Sequence, residues 1–189
     1  MVRNPRGKIT SSFSYVAFLR GINSGQNPVQ RMDNLRRIFE GIGFQNVQTV
    51  IASGNVLFET GSPDRKALEE RVEKALLEET GVDTIAVIRT REEILDLIDR
   101  NPFGQVKVTR TTKPYVTFLK APPVLRKGLF GKGTGYTIIA ILDTVVFSVV
   151  DLSSAKTPAL MRDLEAEFGK NITTRSFATV LKIASRFGD

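Results

Sequence analysis

Short strand-like runs and amphipathic helical patterns alternate in one fixed order along the first half of this chain. Residues 14–20 are rich in β-branched and aromatic side chains and end at Gly21, which is typical of a strand. From Met32 to Ile42 the apolar side chains recur every three or four residues, which places them on one face of a helix. Two more strand patterns, a second helical pattern and a fourth strand pattern follow as far as residue 89. This βαββαβ order favours the split βαβ, or ferredoxin-like, arrangement.

The second half of the chain repeats this order with one weaker element. Strand patterns cover residues 113–120, 136–142 and 144–150, and helical spacing begins at Thr157. The helix expected between residues 120 and 136 is poorly defined, and a further helix ends the chain. We therefore predict an α+β fold in which two ferredoxin-like βαββαβ subdomains are duplicated in tandem, with an extra C-terminal helix.

The predicted domain boundaries follow from this duplication. Residues 1–13 lack apolar periodicity and are rich in basic side chains, so we expect a basic, disordered tail there. Residues 14–100 are predicted to hold the first subdomain and a linking helix. Residues 101–189 are predicted to hold the second subdomain and the C-terminal helix.

The chain lacks two side chains on which much enzyme and metal chemistry depends. It contains no His and no Cys. This excludes disulfides, thiolate nucleophiles, Cys- or His-ligated zinc and a serine–histidine triad. We expect no metal and no cofactor, and the sequence leaves open whether the protein is an enzyme.

The apolar segments are too short for the common membrane signals. The longest one, residues 136–150, contains Asp143 and is shorter than the roughly 20 apolar residues that a bilayer span needs. The first apolar run, residues 15–19, is shorter than the hydrophobic region of a signal peptide. We therefore expect no membrane association and a cytoplasmic location.

Motifs in both halves resemble those of a known bacterial family, the uncharacterised domain of unknown function 1697. In the first half the similar motifs are residues 15–23, 32–35, 43–44 and 51–56. In the second half they are residues 114–119, Ser154 with Lys156, residues 174–175 and residues 179–182. The resemblance spans residues 14–185 and implies two ferredoxin-like subdomains in tandem, with no established activity. It also marks four secondary candidate site residues without assigning them a chemistry: Ser154, Lys156, Thr174 and Arg175.

Two glycine-containing turns are predicted to meet at one edge of the first subdomain. In a βαββαβ unit, the loop after strand one and the hairpin between strands two and three leave the sheet at the same edge. Such a juxtaposition could cradle an anion or a small ligand. Alternatively, the glycines only supply turn conformations and the asparagines bond locally to the backbone. The candidate ligand-binding residues are Arg20, Asn23, Arg31, Ser53, Gly54 and Asn55.

Basic residues outnumber acidic ones by 27 to 20, and they are unevenly distributed. Residues 1–32 and 100–142 contain no acidic residue. These segments could form a nucleic-acid surface with the aromatic residues among them, or they could be a solvated basic face with core aromatics. Residues 56–59 do not match the aromatic motif of RNA-binding sheets. The interleaved aromatic residues are Phe103, Tyr115, Phe118, Phe130 and Tyr136.

Several functions therefore stay open. The preferred hypothesis is a binding module for a phosphate-bearing ligand at the edge that contains Arg20. The alternatives are a small-molecule enzyme at the same edge, with Arg20 or Lys156 as electrophilic stabiliser, a nucleic-acid-binding protein, and a protein that pairs with itself. The acidic residues of the second predicted helix are interpreted as solvated helix surface, because they lie opposite its apolar face. They are Glu69, Glu70, Glu73, Glu78 and Glu79.

Overall fold

The computed structural model of the chain divides into two compact units. One unit comprises residues 1–94 with 185–189, and the other comprises residues 95–184. The described residues are 2–3, 9–10, 12–22, 32–51, 54–107, 109–124, 135–153 and 157–188.

The first unit is a four-stranded antiparallel sheet with two helices in its connections. Its elements are β1 (Val2–Arg3), β2 (Ile9–Thr10), β3 (Phe13–Arg20), α1 (Met32–Gly41), β4 (Gln45–Thr49), β5 (Asn55–Thr60), α2 (Arg65–Thr80) and β6 (Ile85–Thr90). The strand order in the main sheet is β4-β5-β3-β6, and β1 pairs with β2 in a separate two-stranded sheet. A third helix, α3 (Arg91–Asp99), follows β6.

The core of the first unit lies between the sheet and the apolar faces of α1 and α2. Strand residues alternate between the two faces of a sheet, so Tyr15, Ala17 and Leu19 share one face and belong to a single buried cluster. Phe58 lies near its centre, with ring centroids 4.3 Å from Phe44 and 5.5 Å from Tyr15. The helical periodicity of the sequence therefore identifies the buried faces correctly.

Glutamate side chains of α2 and α3 accept hydrogen bonds from the backbone of the edge strand β6. Three alternate N–H groups of this strand donate to glutamate side chains rather than to another strand. An edge strand otherwise presents unpaired N–H groups to which another chain can add. The donors and acceptors are Ala86 N to Glu73 Oε1 at 2.8 Å, Ile88 N to Glu69 Oε1 at 2.9 Å, and Thr90 N to Glu93 Oε2 at 2.7 Å.

The interpretation of the α2 glutamates as solvated surface is therefore wrong for two of them. Glu69 is only 4% exposed and Glu73 is half-buried, whereas Glu70, Glu78 and Glu79 are exposed. The physical reason is that a glutamate side chain can reach past the apolar face of its helix to a backbone donor on a neighbouring strand. Burial of such a polar group is favourable only when it is hydrogen-bonded.

The second unit contains another four-stranded antiparallel sheet. Its elements are β7 (Thr112–Leu119), β8 (Tyr136–Leu142), β9 (Val145–Asp151), α4 (Thr157–Phe168), β10 (Ile172–Ser176) and α5 (Phe177–Ala184). The strand order is β10-β7-β9-β8. A 3-10 turn, Ser185–Gly188, follows α5. Apolar residues of β7 and β9 pack against Leu160 and Leu164 of α4 in one buried cluster.

One side-chain hydrogen bond joins β8 to α4 within this unit. The Tyr136 hydroxyl donates to Asp163 Oδ2 at 2.7 Å. Burial and this bond raise the pKa of Tyr136 to about 12. The same bond holds the pKa of Asp163 below its ordinary value. The pair is therefore most favourable when the tyrosine is neutral and the aspartate is ionised.

Replacing Tyr136 by phenylalanine should lower the free energy of unfolding at neutral pH by about 1.5 kcal/mol, because one hydrogen bond to a charged group is lost. A raised tyrosine pKa stabilises the fold below about pH 10, and this contribution disappears as the pH rises towards 12. A lowered aspartate pKa stabilises the fold above about pH 4, and this contribution disappears in acid. Urea unfolding at about pH 3, 7 and 11 checks this. A difference between variant and native chain that is the same at all three pH values would contradict it.

The predicted α+β class is confirmed, with two four-stranded antiparallel sheets and five α-helices among the described residues. Within those residues, no helix has both the length and the apolar character needed to cross a bilayer. The helix expected between residues 120 and 136 falls mostly on residues 125–134, which lie outside the described residues. The domain boundaries 1–13, 14–100 and 101–189 stay a prediction.

Candidate functional site

The carboxyl end of β3 and the hairpin between β4 and β5 lie side by side in the first unit. β3 and β5 are antiparallel neighbours, with Phe18 opposite Asn55. The pairing continues one residue further, because the Leu19 N–H donates to the Gly54 carbonyl at 2.7 Å. The structure thus brings together three of the predicted site residues, Arg20, Gly54 and Asn55. The other three, Asn23, Arg31 and Ser53, lie outside the described residues.

Gly54 occupies a position that only glycine fits. Its φ is +72°, in the left-handed region that side chains with a Cβ rarely adopt. A Cβ atom at Gly54 would lie 3.0 Å from Ile22 Cγ1 and 3.1 Å from Leu19 Cβ, and closer still to Ile22 Cδ1. The absence of a side chain therefore allows the hairpin backbone to approach the end of β3.

The buried side chain of Asn55 forms a hydrogen bond across the base of the hairpin loop. It is 1% exposed, and its Nδ2 donates to the Val50 carbonyl at 3.0 Å. In return, the Val50 N–H donates to the Asn55 carbonyl at 2.9 Å. This is the local bonding of side chain to backbone that the sequence offered as an alternative. At this edge, Asn55 is a positioning residue that holds the turn in place.

Among the three candidate residues at this edge that the structure describes, Arg20 is the one with a cationic side chain. It is the last residue of β3, it is half-buried, and it lies opposite Ile85 of β6. Gly21 follows it with φ +91° and is exposed, which turns the chain away from the sheet. The backbone of Arg20 is therefore positioned by the pairing of β3 with β6.

A fourth residue of this edge, Ile51, was not identified from the sequence. It is 38% exposed and has φ +58°. For a residue other than glycine, this left-handed conformation is unfavourable by about 1–2 kcal/mol. Isoleucine is a typical strand residue, so its pattern predicts no such conformation. We call Arg20, Gly21, Ile51, Gly54 and Asn55 the rim.

The secondary candidates lie in the second unit, and two of them can be placed. Thr174 Oγ1 is 2.8 Å from Thr117 Oγ1 on the neighbouring strand. Arg175 donates through Nη1 to Thr173 Oγ1 at 2.7 Å and to the Thr174 carbonyl at 2.9 Å. Burial lowers the pKa of Arg175 to about 10. The side chain of Thr174 thus contacts the neighbouring strand β7, and that of Arg175 contacts residues of its own strand, β10. Ser154 and Lys156 lie outside the described residues.

Most of the aromatic residues interleaved in the basic segment 100–142 belong to the protein core. Phe103, Tyr115, Phe118 and Tyr136 are all buried, and Phe130 lies outside the described residues. Bases of single-stranded nucleic acids stack on exposed aromatic rings. These four buried rings therefore offer no stacking surface, which favours the alternative of a basic face with core aromatics.

Two surface cavities lie away from the rim. One, of about 360 Å³ in the first unit, is bordered by Ser14 and Glu59 on one side and by Arg186 on the other. The second, of about 380 Å³, lies in the second unit between Pro122 and Phe168. Neither of these cavities is lined by a rim residue.

The chain matches a family model and is similar in fold to a solved bacterial protein structure. The family model described as a protein of unknown function, DUF1697, matches residues 13–129. A solved structure described as the conserved bacterial protein SP0830 from Streptococcus pneumoniae superposes with a TM-score of 0.66. That alignment covers 95% of this chain and 100% of the other at 19% sequence identity, so it shows similarity of fold. No curated protein matches the chain.

Proposed function

Because the chain belongs to the DUF1697 family of proteins of unknown function, we propose its function from its own geometry: it is a binding protein for a phosphate-bearing or other anionic ligand. The ligand binds at the rim, and Arg20 supplies the positive charge. The observation that carries this proposal is the 2.7 Å hydrogen bond between Leu19 N and the Gly54 carbonyl, which joins the two turns. It supports the proposal because two turns joined in this way make one recognition edge.

The chemistry of the rim residues suits an anion. A guanidinium group presents planar, charged hydrogen-bond donors that match phosphate and carboxylate oxygens. Glycine at residue 21 leaves the backbone open to close approach by a ligand, because a Cβ there would meet only the Asp83 carbonyl oxygen, at 3.8 Å. Gly54 instead allows the hairpin to pack closely on β3. The buried amide of Asn55 keeps the hairpin fixed, so that less conformational freedom is lost on binding.

The same proposal includes the finer fold assignment. We infer that both units are ferredoxin-like subdomains arranged in tandem. When β3 to β6 and β7 to β10 are each numbered one to four in chain order, both sheets have the strand order four, one, three, two. All neighbouring strands in these two sheets are antiparallel. This shared order supports a duplication, and it gives the rim a structural counterpart in the second unit.

Replacing Arg20 by alanine should weaken binding of inorganic phosphate at least tenfold, because a charge-assisted hydrogen bond contributes about 1.5–3 kcal/mol. The measurement is the thermal shift of the unfolding midpoint with increasing phosphate, at constant ionic strength. A ligand present at about 100 times its Kd stabilises the native chain by roughly 2.7 kcal/mol, which such a scan detects readily.

Arg36→Ala is the matched control. Arg36 lies on α1 with 57% of its side chain exposed, and it pairs only loosely with Glu40 at 3.8 Å. Its removal changes the net charge of the chain by the same amount as removal of Arg20, so it should leave phosphate binding unchanged. If no anion shifts the midpoint of the native chain, or if both variants behave alike, the proposed function is wrong.

The enzymatic, nucleic-acid and self-pairing alternatives stay predictions. So do the roles of Ser154, Lys156, Thr174 and Arg175. If phosphate binding survives Arg20→Ala but requires Arg175, the second unit would be the place to search for the ligand site.

A further inference from the structure

Ile51 combines two properties that folding alone does not explain. Its backbone is left-handed, with φ +58°. The other residues with positive φ among the described residues, apart from glycines, are Asn46, Asn101 and Asp143. Asn and Asp tolerate this conformation because their short polar side chains bond locally to the backbone. A β-branched residue has no such compensation and is an outlier there.

The side chain of Ile51 does not compensate for the backbone by burial. It is 38% exposed and does not belong to the core cluster of the first unit. Residues held in unfavourable backbone conformations are concentrated at ligand-binding and catalytic sites. Isoleucine at this position therefore indicates that its apolar surface has a use outside the core.

The position of Ile51 relative to the rest of the rim is fixed by the hairpin. Val50 and Asn55 exchange backbone and side-chain hydrogen bonds, so Ile51 and Gly54 begin and end the loop that they close. Gly54 is in turn bonded to Leu19, the neighbour of Arg20. With about 4.8 Å between adjacent strands, the backbones of β3 and β4, which flank β5, are roughly 10 Å apart.

We propose that Ile51 is the apolar contact of the rim, and that the ligand is an organic phosphate with an apolar group. This inference rests on the proposed function. The phosphate binds at Arg20, and the apolar group packs on Ile51 across a distance that spans two strand spacings. Inorganic phosphate fills only the first of these positions. An aryl phosphate is long enough to approach both.

The test compares inorganic phosphate with phenyl phosphate in the native chain and in Ile51→Asn. The native chain should bind phenyl phosphate about tenfold more tightly, because the phenyl group buries apolar surface against Ile51. Ile51→Asn should lose this preference, so that the ratio of the two affinities falls to about one, because the phenyl group has no apolar surface to pack on. Because asparagine tolerates the left-handed conformation, the variant should also unfold about 3 °C higher without ligand. That rise shows that the variant is folded.

Ile139→Asn serves as the control, since Ile139 is an isoleucine of β8 with a similar exposure of 37%. It should keep the preference for phenyl phosphate. If the native chain binds both ligands equally, or if Ile51→Asn keeps the preference, this inference is overturned, while Arg20-dependent binding of inorganic phosphate still supports the proposed function. If neither ligand binds to the native chain, the proposed function fails as well.

Discussion

Replacing Gly54 by alanine should lower the free energy of unfolding by about 3 kcal/mol, measured by urea unfolding. Two effects add. Alanine is unfavourable at φ +72° by about 1–2 kcal/mol. Its Cβ would also press on Ile22 and Leu19, both of which are 2% exposed and cannot move into solvent. Overpacking of such a site adds about 1–3 kcal/mol.

Gly81→Ala separates these two effects. Gly81 ends α2 with φ +70°, nearly the same conformation, but a Cβ there meets nothing within 4 Å. This variant should therefore lose only the backbone contribution, about 1 kcal/mol. If the two alanine variants are destabilised equally, the close approach of the hairpin to β3 is not a constraint on the fold.

Replacing Glu69 by alanine should lower the free energy of unfolding by about 3 kcal/mol. The change leaves the buried Ile88 N–H without its acceptor, which costs about 1–3 kcal/mol. It also removes a negative charge near the buried Arg89. Burial, together with the Arg65 cation, lowers the pKa of Arg89 to about 10, and the carboxylates of Glu93 and Glu69 oppose this shift. A buried cation that loses such a partner destabilises the fold further.

Two further variants divide the effect of Glu69 into its parts. Glu69→Gln keeps an oxygen that can accept from Ile88 N but lacks the charge, so its loss should be about half as large. Glu70→Ala removes the exposed neighbour, which pairs with Lys66 at 3.9 Å, and should change stability by less than about 0.5 kcal/mol. Urea unfolding of all three variants is the measurement. A Glu69→Ala variant as stable as Glu70→Ala would show that the edge bond contributes nothing.

The order of the elements and the buried faces could be predicted because both are local properties of the sequence. The spacing of Leu35, Ile38 and Phe39 marks the core face of α1 whatever the rest of the chain does. The approach of Gly54 to β3 could also be predicted, because the βαββαβ order determines which turns leave the sheet at one edge.

The roles that could not be predicted from the sequence depend on three-dimensional context. Glu69 and Glu70 are consecutive residues of the same type on α2, and the residue type alone does not show that a backbone donor of β6, Ile88 N, lies within reach of Glu69. Ile51 appears in the sequence as an ordinary strand residue, because isoleucine, unlike Gly, Asn or Asp, does not indicate a left-handed backbone. The sequence allowed two roles for Asn55, ligand binding or local bonding to the backbone. Its hydrogen bond to the Val50 carbonyl shows the local bonding.

The glutamates along β6 have a consequence for how this protein behaves when it is concentrated. An incoming strand that tried to extend the first sheet on this side would have to displace three glutamate side chains from the backbone. The opposite edge, β4, has an irregular register between Gln45 and Gln48, which also makes it a poor template. Both edges of the first sheet are therefore poor templates for fibrillar aggregation. We expect the first unit to stay dispersed in a concentrated solution.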